Sequence, residues 1–227
     1  MKQNKFSTTF VVLAVLFCVC LIVSNLIEIK VIDMAPGTIT AGMLVFPISY
    51  IINDCLTEVY GYRKARFVIW LGFLMNLFTV LMLTMAIALP GGPEWHYQNA
   101  MQQIYGYVPR ILGASFTAFI CGSMLNAFVM SKMKLMHGKR HFSLRAILST
   151  LCGESLDSVI FFPIAFGGTL SWSTIISLIV TQTALKTLYE ALALPVTARI
   201  VAKLKQHEGE DANDSGIDYK WWRITDM

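Results

Sequence analysis

Long apolar runs separated by short polar stretches repeat along the whole chain. Each run reaches the ~20 residues that a helix needs to cross the hydrocarbon core of a bilayer. The strands of a membrane barrel would instead show short segments of alternating polarity. The pattern therefore predicts an all-α membrane protein with six transmembrane helices, at about 10–27, 39–59, 67–89, 111–130, 144–166 and 170–201.

The first and last runs need interpretation. The run at 10–27 follows two lysines, as in a signal peptide, but no small-residue cleavage site follows it and five more apolar runs do, so we expect a retained helix. The run at 170–201 exceeds a bilayer span and must tilt, bend at Pro195 or protrude. We expect residues 1–205 to form the transmembrane domain and 206–227 to form a polar cytoplasmic tail.

The positions of the basic residues predict the orientation. With the N-terminus inside, every one of the 18 lysines and arginines except Lys30, Arg110 and Lys186 falls in a cytoplasmic segment. Cytoplasmic loops of membrane proteins carry this excess of positive charge. We therefore expect both termini in the cytoplasm. Because topology accounts for these charges, they do not indicate a nucleic-acid partner.

Composition agrees with a membrane protein and excludes several functional classes. The chain is 56% hydrophobic and 14% charged, with a mean hydropathy of +0.60, whereas soluble domains carry about 25% charged residues. The five cysteines lie in apolar runs without metal or redox spacing, so we expect no cofactor or metal. No histidine lies at membrane depth to serve an intramembrane hydrolase.

Polar residues inside the apolar runs concentrate on one face each of the second, fifth and sixth predicted helices. Ionisable groups at membrane depth usually face the bundle interior and mark substrate or ion pathways. The three faces therefore predict the walls of a polar cavity. They comprise Tyr50, Asn53, Asp54, Thr57 and Glu58; Thr150, Glu154, Asp157, Ser158 and Phe161; and Gln182, Lys186, Tyr189 and Glu190.

Ion pairing within the bundle is the alternative to ligand binding for several of these groups. Lys186 has Glu190 four residues on, or it could neutralise Glu154 or Asp157 across the bundle. Asp54 and Glu58 could be interfacial partners of Arg63. One lysine cannot fully satisfy two mid-span carboxylates, so Glu154 and Asp157 favour ligand recognition.

Two polar segments carry a resemblance to a known family. "FPISYIINDCLTEVYGYRKAR" and "GESLDSVIFFPIAF" are similar to segments of the queuosine precursor transporters, within a wider group of vitamin-uptake membrane proteins. The resemblance runs from about Asn25 to Arg199. It implies import of cyano- and aminomethyl-deazaguanine bases across the bacterial cytoplasmic membrane. It also implies substrate contacts by some of Asn53, Asp54, Glu58, Glu154, Asp157 and Ser158.

The chemistry of such a base suits these residues. A guanine-type edge presents two parallel N–H donors, which match one carboxylate, and a second acid could pair with an aminomethyl ammonium. Tyr50, Phe161 and Tyr189 could stack on the ring, and Gln182 and Lys186 complete the predicted substrate-binding set.

The sequence is also compatible with other functional classes. The wider group resembles the substrate-binding subunits of ATP-driven energy-coupling-factor importers, which dock through small residues on their first helix. The first helix here has one alanine and no such pair, which favours a transporter without an energy-coupling partner. An intramembrane enzyme and a purely structural protein are further alternatives. Proton symport and passive exchange with metabolic trapping are both compatible with the sequence, as is a homo-oligomer.

Overall fold

Helices make up most of the chain. The computed structural model describes residues 7–35, 37–137 and 142–209. These residues form a two-stranded sheet, one 3-10 helix and six α-helices. In chain order the elements are α1 (Thr8–Ile27), β1 (Val31–Met34), β2 (Gly37–Thr40), a 3-10 helix (Ala41–Leu44), α2 (Phe46–Ala88), α3 (Gln98–Tyr105), α4 (Val108–His137), α5 (Phe142–Phe166) and α6 (Trp172–Glu208).

Four helical stretches of the described residues are long and apolar enough to cross a membrane, by length and composition: Thr8–Ile27, Arg63–Ala88, Gln98–Ser123 and Ile147–Phe166. Large apolar side chains such as Val15, Phe78 and Met85 are exposed on the outside of the bundle. In water such a surface would be unusual, whereas it suits contact with lipid. The helices thus confirm a helical membrane protein, while a count of six crossings stays a prediction.

Residues 31–44 differ from the predicted second helix, which was placed at 39–59. β1 and β2 pair antiparallel from Val31 with Thr40 to Met34 with Gly37, and the 3-10 helix follows. The β-branched residues of this stretch and the glycine at its turn favour a hairpin over a helix. The prediction of a helix from residue 39 is therefore wrong, and α2 begins only at Phe46.

The predicted second and third helices join in the single element α2. Gly61 interrupts it with φ 85° and ψ 164°, a backbone conformation that favours glycine. Residues 46–60 rise only about 22 Å, less than the ~30 Å hydrocarbon core. For this reason only the second half of α2 is long enough to span by itself.

The remaining boundaries lie near those expected, with two additions. α5 covers the predicted 144–166, whereas α4 begins three residues before the predicted 111 and ends at His137, seven residues after the predicted 130. The short helix α3 lies in what was expected to be a loop. α6 continues to Glu208 with Pro195 inside it, so it is longer than the predicted 170–201. Of the predicted tail, residues 210–227 lie outside the described part, as do Lys2 and Lys5.

Close contact between α4 and α5 fixes the position of the polar residues on α5. A Cβ on Gly122 would lie 2.9 Å from the Gly153 carbonyl oxygen and 3.0 Å from Asp157 Cβ. Small residues at a membrane helix interface allow this approach. Arg110 at the start of α4 also donates hydrogen bonds to the carbonyl oxygens of Ile164 and Gly167 at the end of α5. The acids of α5 therefore sit on a rigidly packed helix pair.

Candidate functional site

Lys186 lies between the two acids of α5. Its Nζ is 3.1 Å from Glu154 Oε2 and 3.3 Å from Asp157 Oδ2. The same nitrogen lies 4.6 Å from the centroid of the Phe46 ring, at the start of α2. We call Lys186, Glu154, Asp157 and Phe46 the ion-paired centre. It joins α2, α5 and α6, the helices on which the sequence predicted a cavity.

The distances show which of the possible ion pairs Lys186 forms. The lysine pairs across the bundle with Glu154 and Asp157, and Glu190 accepts a hydrogen bond from Thr150 Oγ1 at 3.0 Å. Lys186 is 5% exposed, whereas Glu154 and Asp157 are 17% and 23% exposed. The acids are therefore the more accessible part of the centre.

One oxygen of Asp157 remains available to a ligand. Lys186 donates to Oδ2, and Oδ1 accepts no hydrogen bond from any described residue. Ser158, the next residue, is fully buried and its Oγ has no hydrogen-bond partner. An ionised carboxylate accepts through both oxygens, so this part of α5 offers acceptors to a solute that brings donors.

A second polar cluster lies between the end of α1, the hairpin and α6. Thr40 Oγ1 donates to Glu28 Oε1 at 2.6 Å, and Gln182 Nε2 donates to Thr40 Oγ1 at 2.6 Å. Glu28 is 1% exposed, and Thr40 and Gln182 are completely buried. We call Glu28, Thr40 and Gln182 the Glu28 cluster. Gln182 precedes Lys186 by one helical turn, so α6 contributes to both groups of residues.

Sequence reasoning missed Glu28 and Thr40. Glu28 follows the apolar run of α1 directly and resembles an ordinary flanking charge. A signal was nevertheless present, because Ser24 and Glu28 are four residues apart and lie on one side of a helix. Both are buried. Thr40 showed no comparable signal, because it lies in an apolar run that resembles the start of a membrane helix.

For the other predicted site residues the structure gives fewer contacts. Asn53 is half-buried and its Oδ1 has no hydrogen-bond partner, and Tyr189 is half-buried on α6. The side chains of Tyr50, Asp54 and Glu58 lie outside those that the structure describes. The proposed pairing of Asp54 and Glu58 with Arg63 therefore stays a prediction.

Unpartnered buried oxygen atoms characterise the interior of this site. They include Glu28 Oε2, Asn53 Oδ1 and Gln182 Oε1. Buried polar atoms normally have hydrogen-bond partners, so each exception indicates a missing donor. Among the described residues, no group of three or more His, Cys, Asp or Glu side chains could hold a metal ion. The site is thus suited to an organic solute rich in N–H donors or to a proton.

Comparison with known proteins identifies the family. Residues 40–200 match the family model described as "Putative vitamin uptake transporter". The chain belongs to this family of vitamin uptake transporters. The matched range contains the ion-paired centre as well as Thr40 and Gln182, whereas Glu28 precedes it.

Curated relatives agree with this membership. The chain is 30% identical over 148 residues to the "Probable queuosine precursor transporter" of Bacillus subtilis, covering 64% of each chain. It is 28% identical over 127 residues to the "Queuosine precursor transporter" of Escherichia coli, covering 56% of this chain and 55% of the relative. The alignments therefore span less than two thirds of these relatives. No solved structure matches the chain.

Family membership and the apolar helices together give the location. The relatives are bacterial transporters, and four described helical stretches can cross a bilayer. The chain is therefore a multi-pass protein of the bacterial inner membrane.

Proposed function

We propose that the protein imports the queuosine precursors 7-cyano- and 7-aminomethyl-7-deazaguanine. The relatives carry the name of this transport activity. The observation that carries the proposal for this chain is the pair of accessible acids, Glu154 and Asp157, held by one buried lysine. A deazaguanine brings the parallel N–H donors that such acids accept.

Asp157 Oδ1 is the first acceptor for the pyrimidine edge of the base. Lys186 holds the other oxygen of this carboxylate and so fixes its orientation. Glu154 supplies further negative charge, which suits the ammonium group of the aminomethyl precursor. Lys186 Nζ lies over the Phe46 ring, and Tyr189, three residues after Lys186 on α6, is a second aromatic residue proposed to contact the base. The proposed substrate residues are thus Glu154, Asp157 and Lys186, with Ser158, Asn53 and Gln182 around them.

Uptake of labelled aminomethyl-deazaguanine by cells that cannot synthesise it tests the proposal. Cells with the protein should accumulate the base saturably, and cells without it should not. Glu154→Gln and Asp157→Asn keep side-chain size but present a donor to a donor, so each should reduce uptake about tenfold or more, because charged hydrogen bonds are lost. Glu94→Gln, at an exposed loop position, is the matched control and should retain uptake.

Two results would contradict the assignment. Equal uptake with and without properly inserted protein would reject the transport of this base. Normal uptake by both substituted proteins, with the wild-type protein active, would reject the ion-paired centre as its binding site.

The proposal includes six membrane crossings with both termini in the cytoplasm. The hairpin, the 3-10 helix and residues 46–60 would make the second crossing, and α6 the sixth. The basic residues near Gly61 and at the end of α6 support this orientation through the excess of positive charge inside. Reporter fusions test it: a fusion after Gly92 should report the outside and one after Gly209 the inside, and the reverse would contradict it.

The transporter is proposed to work without an energy-coupling subunit. The outward side of α1 carries the exposed, large residues Val11, Val15, Leu16 and Val19. A close helix contact with a partner favours small residues instead. Co-purification of the protein with an ATPase from its own membrane would contradict this part of the proposal.

A further inference from the structure

Glu28 is a buried carboxyl without a cationic partner. It directly follows the last residue of α1 and is 1% exposed. Oε1 accepts the hydrogen bond from Thr40, and Oε2 has no hydrogen-bond partner. No described residue forms an ion pair with it. An ionised carboxylate in such a position is very costly, and burial favours its neutral, protonated form.

The surroundings of Oε2 suit an O–H donor. Ser24 Oγ is also a buried oxygen atom that has no hydrogen-bond partner among the described residues. A Cβ built on Gly42 would overlap Glu28 Oε2 and would lie 3.1 Å from Ser24 Oγ, so these two oxygens lie on the same side of Gly42. A protonated carboxyl has one O–H to donate. A proton on Oε2 would therefore give this oxygen an O–H that can be donated to Ser24 Oγ.

The space at Glu28 excludes a larger ligand. The carboxyl packs directly on the backbone of Gly42, which is itself buried. Ser24, Thr40 and Gln182 are buried as well, and the unpartnered oxygens are inaccessible to solvent. A metal ion or an ammonium group would need room that this packing does not leave. A proton needs none.

The charged groups around Glu28 belong to the ion-paired centre. Lys186 of α6 and Asp157 of α5 act on Glu28 electrostatically, in opposite directions. Residues 37–44, which pack against it from β2 and the 3-10 helix, contain no ionisable side chain, and Ser24 and Asn25 on α1 are neutral. From α2, Phe46 and Asn53 are neutral, and the ionisable side chains of Tyr50, Asp54 and Glu58 are outside the described set. Lys186 thus acts on Glu28 as well as on Glu154 and Asp157.

We propose that Glu28 binds the proton that drives transport. This inference rests on the proposed function and assigns its energy source, which the sequence left open. The proton adds to Oε2 from one side of the membrane and leaves it to the other, and no other bond changes. Thr40 and Gln182 link Glu28 to α6 one turn from Lys186, so loading of Glu28 and occupancy of the ion-paired centre influence each other reciprocally.

Accumulation of the neutral cyano precursor by proteoliposomes tests the proposal, because a neutral probe does not itself respond to membrane potential. With an alkaline interior, one proton per substrate supports up to about tenfold accumulation per pH unit. The wild-type protein should show this accumulation. Glu28→Gln is permanently neutral and nearly isosteric, so it should only equilibrate the base across the membrane. Glu94→Gln, the exposed control, should accumulate it as the wild type does.

A second measurement detects the protonation of Glu28 in the absence of substrate. In infrared spectra of the purified protein near neutral pH, the carbonyl stretch of a protonated carboxyl should be present in the wild type and in Glu94→Gln. It should be absent or reduced in Glu28→Gln. In Gly42→Ala the band should shift, because the added methyl group displaces Oε2. This variant also retains the carboxyl if Glu28→Gln does not fold.

The outcomes separate this inference from the proposed function. Equilibration of the precursor without accumulation by the wild type, or full accumulation by Glu28→Gln, would overturn the proton site while transport stands. Failure to move either precursor would reject the proposed function, and the infrared band would still decide whether Glu28 holds a proton. An identical band in the wild type and Glu28→Gln would overturn the inference.

Discussion

The ion-paired centre and the Glu28 cluster both place carboxyl groups inside the bundle, but they balance charge differently. In the centre, one lysine lies within 3.3 Å of two acids. In the Glu28 cluster, the acid accepts its one hydrogen bond from a described residue, the neutral Thr40. The first arrangement places a counter-charge beside its acids, whereas the second places a neutral hydroxyl donor beside a buried carboxyl.

The ion-paired centre and the Glu28 cluster also differ in the exposure of their carboxyl groups. Asp157 and Glu154 are partly exposed, whereas Glu28 is almost completely enclosed. The carboxyl groups of the centre are therefore partly accessible, whereas that of the cluster is not. Because α6 carries both Lys186 and Gln182, the two regions occupy successive turns of one helix. The comparison suggests a division of roles: substrate recognition at the centre and energy coupling at the cluster.

Removing the counter-charge should have the largest effect. Lys186→Met leaves two partly exposed acids without the buried lysine that lies between them, and breaking a fully buried ion pair costs about 3–5 kcal/mol, which is the upper bound here. We expect a large fall in the thermal unfolding midpoint of the purified protein and loss of uptake. Lys30→Met, at an exposed position, is the matched control and should change neither.

The thermal unfolding midpoint of a Glu28 variant tests the other side of this comparison. Glu28→Gln should leave the unfolding midpoint near that of the wild type, since the neutral amide replaces the protonated carboxyl that we propose at this position. If Lys186→Met were as stable as Lys30→Met, or if Glu28→Gln were the more damaging change, the contrast in charge balance would be wrong.

Overpacking beside Asp157 should have a smaller effect that is confined to the centre. In Gly122→Ala the new methyl group meets the Gly153 backbone and Asp157 Cβ, and such overpacking costs about 1–3 kcal/mol. We expect weaker binding of the deazaguanine base by the purified protein. Gly113→Ala on the same helix meets nothing within 4 Å and should be neutral or stabilise by about 0.5–1 kcal/mol, because alanine favours the helix.

Gly122→Ala also tests whether the ion-paired centre and the Glu28 cluster act separately. The accumulation ratio of the cyano precursor under a proton gradient should persist, although the rate of uptake falls, because Glu28 is not touched. Loss of the ratio together with affinity would show that the regions do not act separately. Equal binding by Gly122→Ala and Gly113→Ala would show that the position of Asp157 does not matter.

Much of the helical framework was predictable from the sequence, since it depends on local pattern. The apolar run of α5 and the shared face of Glu154 and Asp157 follow from residue spacing alone, and α5 ends at Phe166 as predicted. The hairpin was not predicted, because its residues are as apolar as those of a membrane helix and the helix was extended through them. Gly61 lies between the predicted helices 39–59 and 67–89, whereas in the structure it is a single break within α2.

The sequence by itself determined that this is a helical membrane protein with acids on an inward face, because apolar length and helical period are properties of consecutive residues. Only the tertiary structure decided which acids Lys186 pairs with, since several carboxylates were within reach of its side chain. It also decided that Glu28 is buried. That burial depends on Thr40 and on Gln182, 142 residues further along the chain from Thr40, and a contact between such distant residues leaves no periodic signal in the sequence.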